Sequence, residues 1–425
     1  MDDPVPLADR MARRIEIAAL MLIAFAPYLA IYLDWSPEVR TPVFGAASWV
    51  LMLPAGLLAM TLLLKARSTI CVAASHAVGV GGMAAFWTAS LFSAAYVAVL
   101  PTSAWISVLG VSTALVIALW ALVGERRGEA SARKLFVAIS CWMPAIVSMP
   151  FLMQSIGLGE WNPLSQDAVP GFGNVRRFEG MVLVFAATMS GWALARPAGA
   201  RGLFQLAHVF AVLGWMILFW CGGRGSIIAL IIGLGIVSLA FRRPVRGLFL
   251  LMLHGASGAI LSLFLWRPYV SFSAVHRLLD NRQPGDGVSS LSSGRTDVWK
   301  WTLEHIMERP LLGHGAKQFY AYHETHSHAH NTPLELLFSY GIFLGSLPVL
   351  LGAVVLALGF RRLWRKDRPL EITAAAAVPA SALSLSGMLT DLGSAPLMLS
   401  ALAVSLAVIA GQGARTRSRD EATHD

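Results

Sequence analysis

Apolar residues in this chain gather into long runs separated by short polar stretches. A helix needs about 20 predominantly apolar residues to cross the hydrocarbon core of a bilayer. Runs close to that length, with no charge in their middles, lie at roughly 15–33, 43–64, 70–92, 104–123, 135–156, 180–195, 203–221, 226–241, 247–265, 333–360, 372–390 and 395–411. The pattern predicts an all-α polytopic membrane protein of about twelve transmembrane helices. The first run is as long as a span and no small-residue cleavage site follows it, so it is expected to stay as the first helix. Composition agrees: 56% of the residues are hydrophobic and 13% charged, too few charges for a soluble fold of 425 residues.

Lys and Arg fall in alternate connections, which orients the spans, because cytoplasmic loops retain basic residues. The two termini and the connections around Lys65, Arg126, Arg201, Arg242 and Arg361 carry 22 of the 33 basic residues. Both termini are therefore expected in the cytoplasm, with the alternate connections on the outer side. The formal charge of +9 reports this topology, and nucleic acid is a poor reading of it. Cys71, Cys141 and Cys221 sit in or beside spans without metal-ligand spacing. Charged residues inside the spans are nearly absent, which counts against a coupled transporter.

Only two outer connections are long, 157–179 and 266–332. The chain therefore divides into helices one to nine (1–265), a long outer loop with the candidate histidine (266–332), and helices ten to twelve with a cytoplasmic tail (333–425). The longer loop contains a helix expected over 296–308 and stopped by Pro310. Val298, Trp299, Leu303, Ile306 and Met307 form one stripe of it, opposite Asp297, Lys300, Glu304 and Glu308. Such a segment either lies on the membrane surface or caps the bundle.

Outer arginines are uncommon in a chain of this topology, and each of the following precedes a helix start. Arg176 and Arg177 stand before the sixth span, Arg224 in Cys-Gly-Gly-Arg-Gly-Ser (221–226) before the eighth, and Arg295 in Ser-Ser-Gly-Arg-Thr-Asp (292–297) before the loop helix. A helix N-terminus offers unpaired N–H groups and a partial positive charge, and an adjacent guanidinium adds a bidentate contact, so phosphate or diphosphate is the expected ligand. Glycines 222, 223 and 225 allow close approach of backbone, and Ser226 is placed to cap the helix. The plainer reading of Arg176 and Arg177 is contact with lipid headgroups.

Five of the eleven histidines, His314, His323, His326, His328 and His330, fall within seventeen residues. A zinc site on the last three is one reading, but alternate spacing without cysteine or an HExxH pattern is not a recognised ligand geometry, and no metal or cofactor is expected. The other reading singles out His330. Thr332-Pro333-Leu334-Glu335 is a good helix start, with Thr at the N-cap, Pro at N1 and Glu at N3. The positive end of that helix disfavours an imidazolium just outside it and favours a neutral imidazole that accepts a proton. His314, His323 and His326 read more plainly as polar loop residues.

Gly-Gly-Arg-Gly (222–225), Ser-Gly-Arg-Thr-Asp-Val-Trp (293–299), Glu-Arg-Pro-Leu-Leu-Gly-His-Gly (308–315) and His-Ala-His-Asn (328–331), in this order, resemble the O-antigen ligase and polymerase superfamily. The likeness covers roughly 220–345 by motif and the whole chain by topology. It implies a GT-C-type glycosyltransferase with a periplasmic active site, a donor glycan carried on undecaprenyl diphosphate, and lipid A-core as acceptor. Arg224 and Arg295 match arginines associated with the donor diphosphate, and His330 matches the histidine that activates the acceptor hydroxyl. Asn331 favours His330 over His328, which is expected to support it. Metal-independent inversion at the anomeric carbon is implied. A polymerase of the same superfamily would use the same donor as acceptor, so residue chemistry barely separates it from a ligase. A protein O-oligosaccharyltransferase usually adds sequence after the core, and a lipid-glycan flippase or transporter needs a charge-lined path that the spans lack.

Overall fold

The computed structural model describes residues 7–35, 50–127, 129, 131–157, 169–172, 175–195, 203–267, 273–275, 295–364, 370–390, 392 and 396–421. Most of the expected loop 157–179, the first part of the expected span 43–64 and the residues just before Arg295 lie outside the described residues.

Every described element is helical. In chain order they are α1 (Leu7–Trp35), α2 (Met52–Leu64), α3 (Ala66–Ser75), α4 (Ala77–Phe92), α5 (Pro101–Arg127), α6 (Ser131–Ser140), α7 (Met143–Gly157), α8 (Val175–Ala195), α9 (Leu203–Trp220), α10 (Arg224–Ala240), α11 (Pro244–Ser262), α12 (Arg295–Glu308), α13 (Phe319–Tyr322), α14 (Thr332–Leu363), α15 (Leu370–Gly387) and α16 (Pro396–Glu421). Among the described residues seven helices are long and apolar enough to cross a membrane, and four shorter apolar ones accompany them. The protein is a multi-pass helical membrane protein.

Several expected spans are interrupted. The stretch 70–92 divides at His76 into α3 and α4, and α4 runs on into a π turn, Ser93–Val97. Cys141 and Trp142 separate α6 from α7. A π segment, Leu251–Ala256, lies within α11.

Helix α8 is the axis of the bundle and is buried along almost its whole length. Small residues make that possible, because lipid tails are as apolar as leucine and helices in a bilayer gain by close packing of backbones. Gly191 lies against the backbone of Ala374 and Ala375, where a Cβ would collide with the Ala374 carbonyl. Gly214 packs on Ala186 and Gly233 on Ala382 in the same manner. Helix α15 supplies this surface through its buried Ala374, Ala375, Ala376 and Ala377.

At one end of the bundle the charged helix ends converge. The buried Glu16 carboxylate takes the Lys134 ammonium at 2.6 Å and Lys65 at 3.9 Å, and Glu129 takes Lys65 at 3.4 Å and Arg127 at 3.7 Å. The first turns of α1, the end of α2, the end of α5 and the start of α6 thus share one end, as alternating spans require.

The histidine loop has its own small core of Val298, Ile306, Phe319, Ala329 and Phe338, with Trp301, Tyr322, Leu334 and Leu337 around it. The loop helix forms as its sequence predicts, but its buried face is Val298, Thr302 and Ile306; Leu303 and Met307, expected on the same stripe, are exposed. Helix α14 breaks at Gly341 (φ 76°, ψ 174°). A break leaves carbonyl and amide groups without partners, and inside a membrane protein they must be met by protein. Residues 310–315 do this: His314 N–H donates to Phe338 O (2.8 Å), Gly315 N–H to Ser339 O (3.0 Å), and Ile342 N–H to Pro310 O (2.7 Å). On its other side the segment is tied to the end of α4, where Ala316 N–H donates to Ser93 Oγ (2.9 Å) and the buried Gln318 amide pairs with both backbone groups of Leu100.

Candidate active site

Two helix starts carry the predicted site residues. Arg224 opens α10. Gly222 before it takes a left-handed backbone (φ 74°), open to glycine at little cost, and Gly223 is the N-cap. Ser226, expected as the cap, lies buried in the first turn instead. The group that approaches Gly223 is the carboxylate of Glu179, so closely that a Cβ on Gly223 would run into it. Glu179 is itself buried. An anion at this helix start is what the helix dipole favours, and here the protein provides one of its own.

Arg176 lies one turn before Glu179 on α8 and donates from Nη1 to Glu179 Oε2 at 2.8 Å and to the Cys221 carbonyl at 3.4 Å. Of the neighbouring pair, Arg176 is the one that faces α10, while Arg177 is half-buried on the same turn. Arg295, at the first residue of α12, is half-buried within electrostatic reach of Arg176, Glu179 and Arg224. Burial pushes its pKa down first, Arg176 and Arg224 push it further, and Glu179 opposes them. Its guanidinium stays charged at neutral pH nonetheless. Arg176, Arg224 and Arg295 are therefore brought together around one carboxylate, an excess of positive charge at a helix N-terminus.

The second start is that of α14. Its N-cap is Asn331, one residue earlier than the sequence reading placed it: Asn331 Oδ1 accepts the Leu334 N–H at 3.1 Å. Thr332 is thereby released to donate to Thr390 O (2.8 Å) and accept from Leu392 N–H (2.9 Å). The buried Glu335 reaches back to the Ala329 N–H at 2.9 Å. Between these clamps His330 adopts a left-handed backbone (φ 53°), uncommon for a residue with a side chain and held only where neighbours over-determine it. His328 is one such neighbour. Its Nδ1 accepts the His330 backbone N–H at 3.2 Å, and the two rings meet edge to face with centroids 4.0 Å apart.

His314 and His323 pack within the loop, while the His326 ring lies between His323 and His330, with centroids 4.9 and 5.7 Å away. His314 is buried, stacks on Phe338 at 4.5 Å and donates from Nε2 to His305 O at 2.8 Å. His323 Nδ1 accepts the backbone N–H groups of Thr325 and His326, and its ring lies on Trp301 and Phe319. Backbone thus takes up Nδ1 of both His323 and His328. Among the described residues no group of three or more His, Cys, Asp or Glu is arranged to hold a metal ion.

The two starts meet at the turn 388–390 that ends α15. Gly225 packs on Leu389 from one, and Asn331 Nδ2 donates to Met388 O (3.1 Å) from the other. The loop core joins them a second time, since it contains Val298, one turn along from Arg295, and Ala329, next to His330.

Residues 209–349 match the model of the O-antigen ligase family. No curated protein matches the chain. The O-antigen ligase segment contains Arg224, Arg295, His328, His330 and Asn331, whereas Arg176, Arg177 and Glu179 come from outside it and are delivered by α8. Glu179 was not among the expected site residues. Its signal was a carboxylate three positions after Arg176, at the head of a run that carries no other charge. An interior cavity of about 50 Å³, lined by Ile23, Trp142, Thr188, Val404 and Ser400 among others, touches none of these residues.

Proposed function

We propose that this protein is an O-antigen ligase of the GT-C type that transfers O-antigen polysaccharide from undecaprenyl diphosphate to lipid A-core. In this reading it spans the inner membrane about twelve times, with both termini in the cytoplasm and the site in the periplasm. The family match over residues 209–349 supports ligase- or polymerase-type chemistry in general. The observation that carries the finer reading is the meeting of Arg176, Arg224 and Arg295 at the start of α10, joined to His330 through one turn.

An acceptor hydroxyl of lipid A-core attacks the anomeric carbon of the donor. The bond from that carbon to the phosphate oxygen breaks, and undecaprenyl diphosphate leaves with the electron pair. The hydroxyl proton goes to the imidazole of His330. Charge that develops on the leaving diphosphate is stabilised by the three guanidiniums and the N–H groups of the first turn of α10, groups already in place before reaction. Arg177 adds positive charge on the same turn as Arg176. His328 and Asn331 hold His330 in its unusual backbone conformation. A single displacement inverts the anomeric carbon and needs no covalent glycan–enzyme intermediate.

The test is transfer by the purified protein in nanodiscs containing EDTA, with undecaprenyl-diphosphate O-antigen and lipid A-core supplied. The expected product is lipid A-core extended by the whole glycan, with one undecaprenyl diphosphate released per transfer. Lengthened donor in the absence of lipid A-core identifies a polymerase instead, and activity lost in EDTA and restored by a divalent cation contradicts the metal-free mechanism.

A further inference from the structure

We propose that the loop helix α12 and the corner after it lie in the bilayer surface on the side of the active site, with an apolar edge inserted among the lipid chains. The apolar arc of α12 is wider than its contact with protein. Val298, Thr302 and Ile306 fill the loop core, while Leu303 (52% exposed) and Met307 (68%) face outward. Leu311 (63%) and Leu312 (57%) continue the edge beyond the helix end. Asp297, Glu304 and Glu308 occupy the adjoining arc, so the exposed face has one apolar and one charged side.

The depth of this edge follows from α14. Residues 342–360 carry no charge, and at 1.5 Å per residue they measure about 28 Å, the thickness of a hydrocarbon core. Phe343, Leu350, Val354 and Leu358 are exposed at spacings of seven, four and four, a single helix face turned to lipid. With Arg361 at one boundary, Ile342 and Phe343 stand at the other. The corner is fixed at that level, because Ile342 N–H donates to Pro310 O at 2.7 Å and Gly341 leaves room only for the backbone of Leu311. Leu311, Leu312, Met307 and Leu303 therefore extend the lipid-facing stripe of α14 along the membrane surface, the geometry of an interfacial amphipathic helix. Arg295, at the other end of α12, is held at headgroup height, where the phosphate of a lipid-linked substrate lies.

Spin labels test the placement. Labels are attached at Met307→Cys, Leu311→Cys and, on the charged side, Asp297→Cys, in protein whose exposed Cys71 and Cys141 are replaced by Ser, and the samples are reconstituted in phosphatidylethanolamine–phosphatidylglycerol nanodiscs. Labels at 307 and 311 are expected to relax several-fold more with oxygen than with a water-soluble nickel chelate, and the ratio to invert at 297. Nickel accessibility at 307 and 311 equal to that at 297 overturns the proposal. So does dipolar broadening at 307 that vanishes on dilution with unlabelled protein, because a second copy then covers the edge.

Discussion

The starts of α10 and α14 are both helix N-termini packed on the turn 388–390, and they are finished in opposite ways. The first is capped by a glycine with no side-chain bond, and the charge of an internal carboxylate lies against it with three arginines around. The second is closed by hydrogen bonds, Asn331 to Leu334 and Glu335 to Ala329, and presents a histidine just outside. In the proposed mechanism the first, cationic start takes the diphosphate, which must enter and leave. A closed start suits a group that must keep its orientation through a proton transfer. The lesson is that an N-terminus is not an anion site by position alone; what completes its first turn decides.

The comparison makes its largest prediction at His330. Replacement by Ala should lower the transfer rate by about 10²–10⁴-fold, the usual contribution of a general base, while leaving the α10 start untouched. An unchanged rate removes the histidine from the mechanism. Gly223→Ala comes next, since its methyl group must displace the Glu179 carboxylate. We expect a loss of roughly 1–3 kcal/mol in unfolding stability, as for overpacking elsewhere, and weaker donor binding. A wild-type melting profile would show that Glu179 is not confined there.

Glu179→Gln keeps the shape and removes the only carboxylate of the cluster's described contacts. The half-exposed Arg176 limits the cost to about 1 kcal/mol. Added inorganic pyrophosphate should raise the melting temperature of this variant more than that of the wild type. Equal shifts would separate the carboxylate from the anion site. Asn331→Ala should cost about 1 kcal/mol through the lost cap and reduce transfer without altering donor affinity. Asn331→Asp keeps the acceptor and should restore most of the activity.

The smallest effect concerns pH. Burial holds the pKa values of His314 and His323 below the ordinary imidazole range. The folded loop therefore binds fewer protons than the unfolded chain, and its stability is complete above about pH 6.5 and declines as the pH falls toward the depressed values. Hydrogen exchange corrected for intrinsic rate should show amides 298–323 losing protection between pH 7 and 5 while α8 does not. Equal protection at both pH values would contradict the assignment of these histidines to the loop core.

The multi-pass helical character was legible because the length of an apolar run is a local signal. The loop helix was found to within a residue, since Pro310 stops it regardless of context. Arg176, Arg224, Arg295 and His330 were legible as arginines and a histidine beside helix starts. Their meeting was not, because it depends on α8 packing through Gly191 and Gly214 far from the site. Glu179 has no such marker, because the apolar run begins at the next residue and leaves the carboxylate reading as a boundary charge. The cap of α14 was assigned to Thr332 because Thr and Asn are both good caps, and the choice is made by Thr390 in another helix connection. The break at Gly341 has no local marker. Ser-Tyr-Gly-Ile-Phe reads as continuous span, and only the strand-like contact with 310–315 makes the interruption affordable.

The most direct test of the division between the two helix starts is the affinity for undecaprenyl diphosphate in nanodiscs, measured for wild-type protein, Arg224→Ala, Arg295→Ala and His330→Ala. Loss of one charge-assisted contact is worth about 1.5–3 kcal/mol, so each arginine variant should bind about 10- to 150-fold more weakly, with His330→Ala binding as the wild type does. Arginine variants that bind normally, or a His330→Ala variant that binds as weakly as they do, would contradict the account.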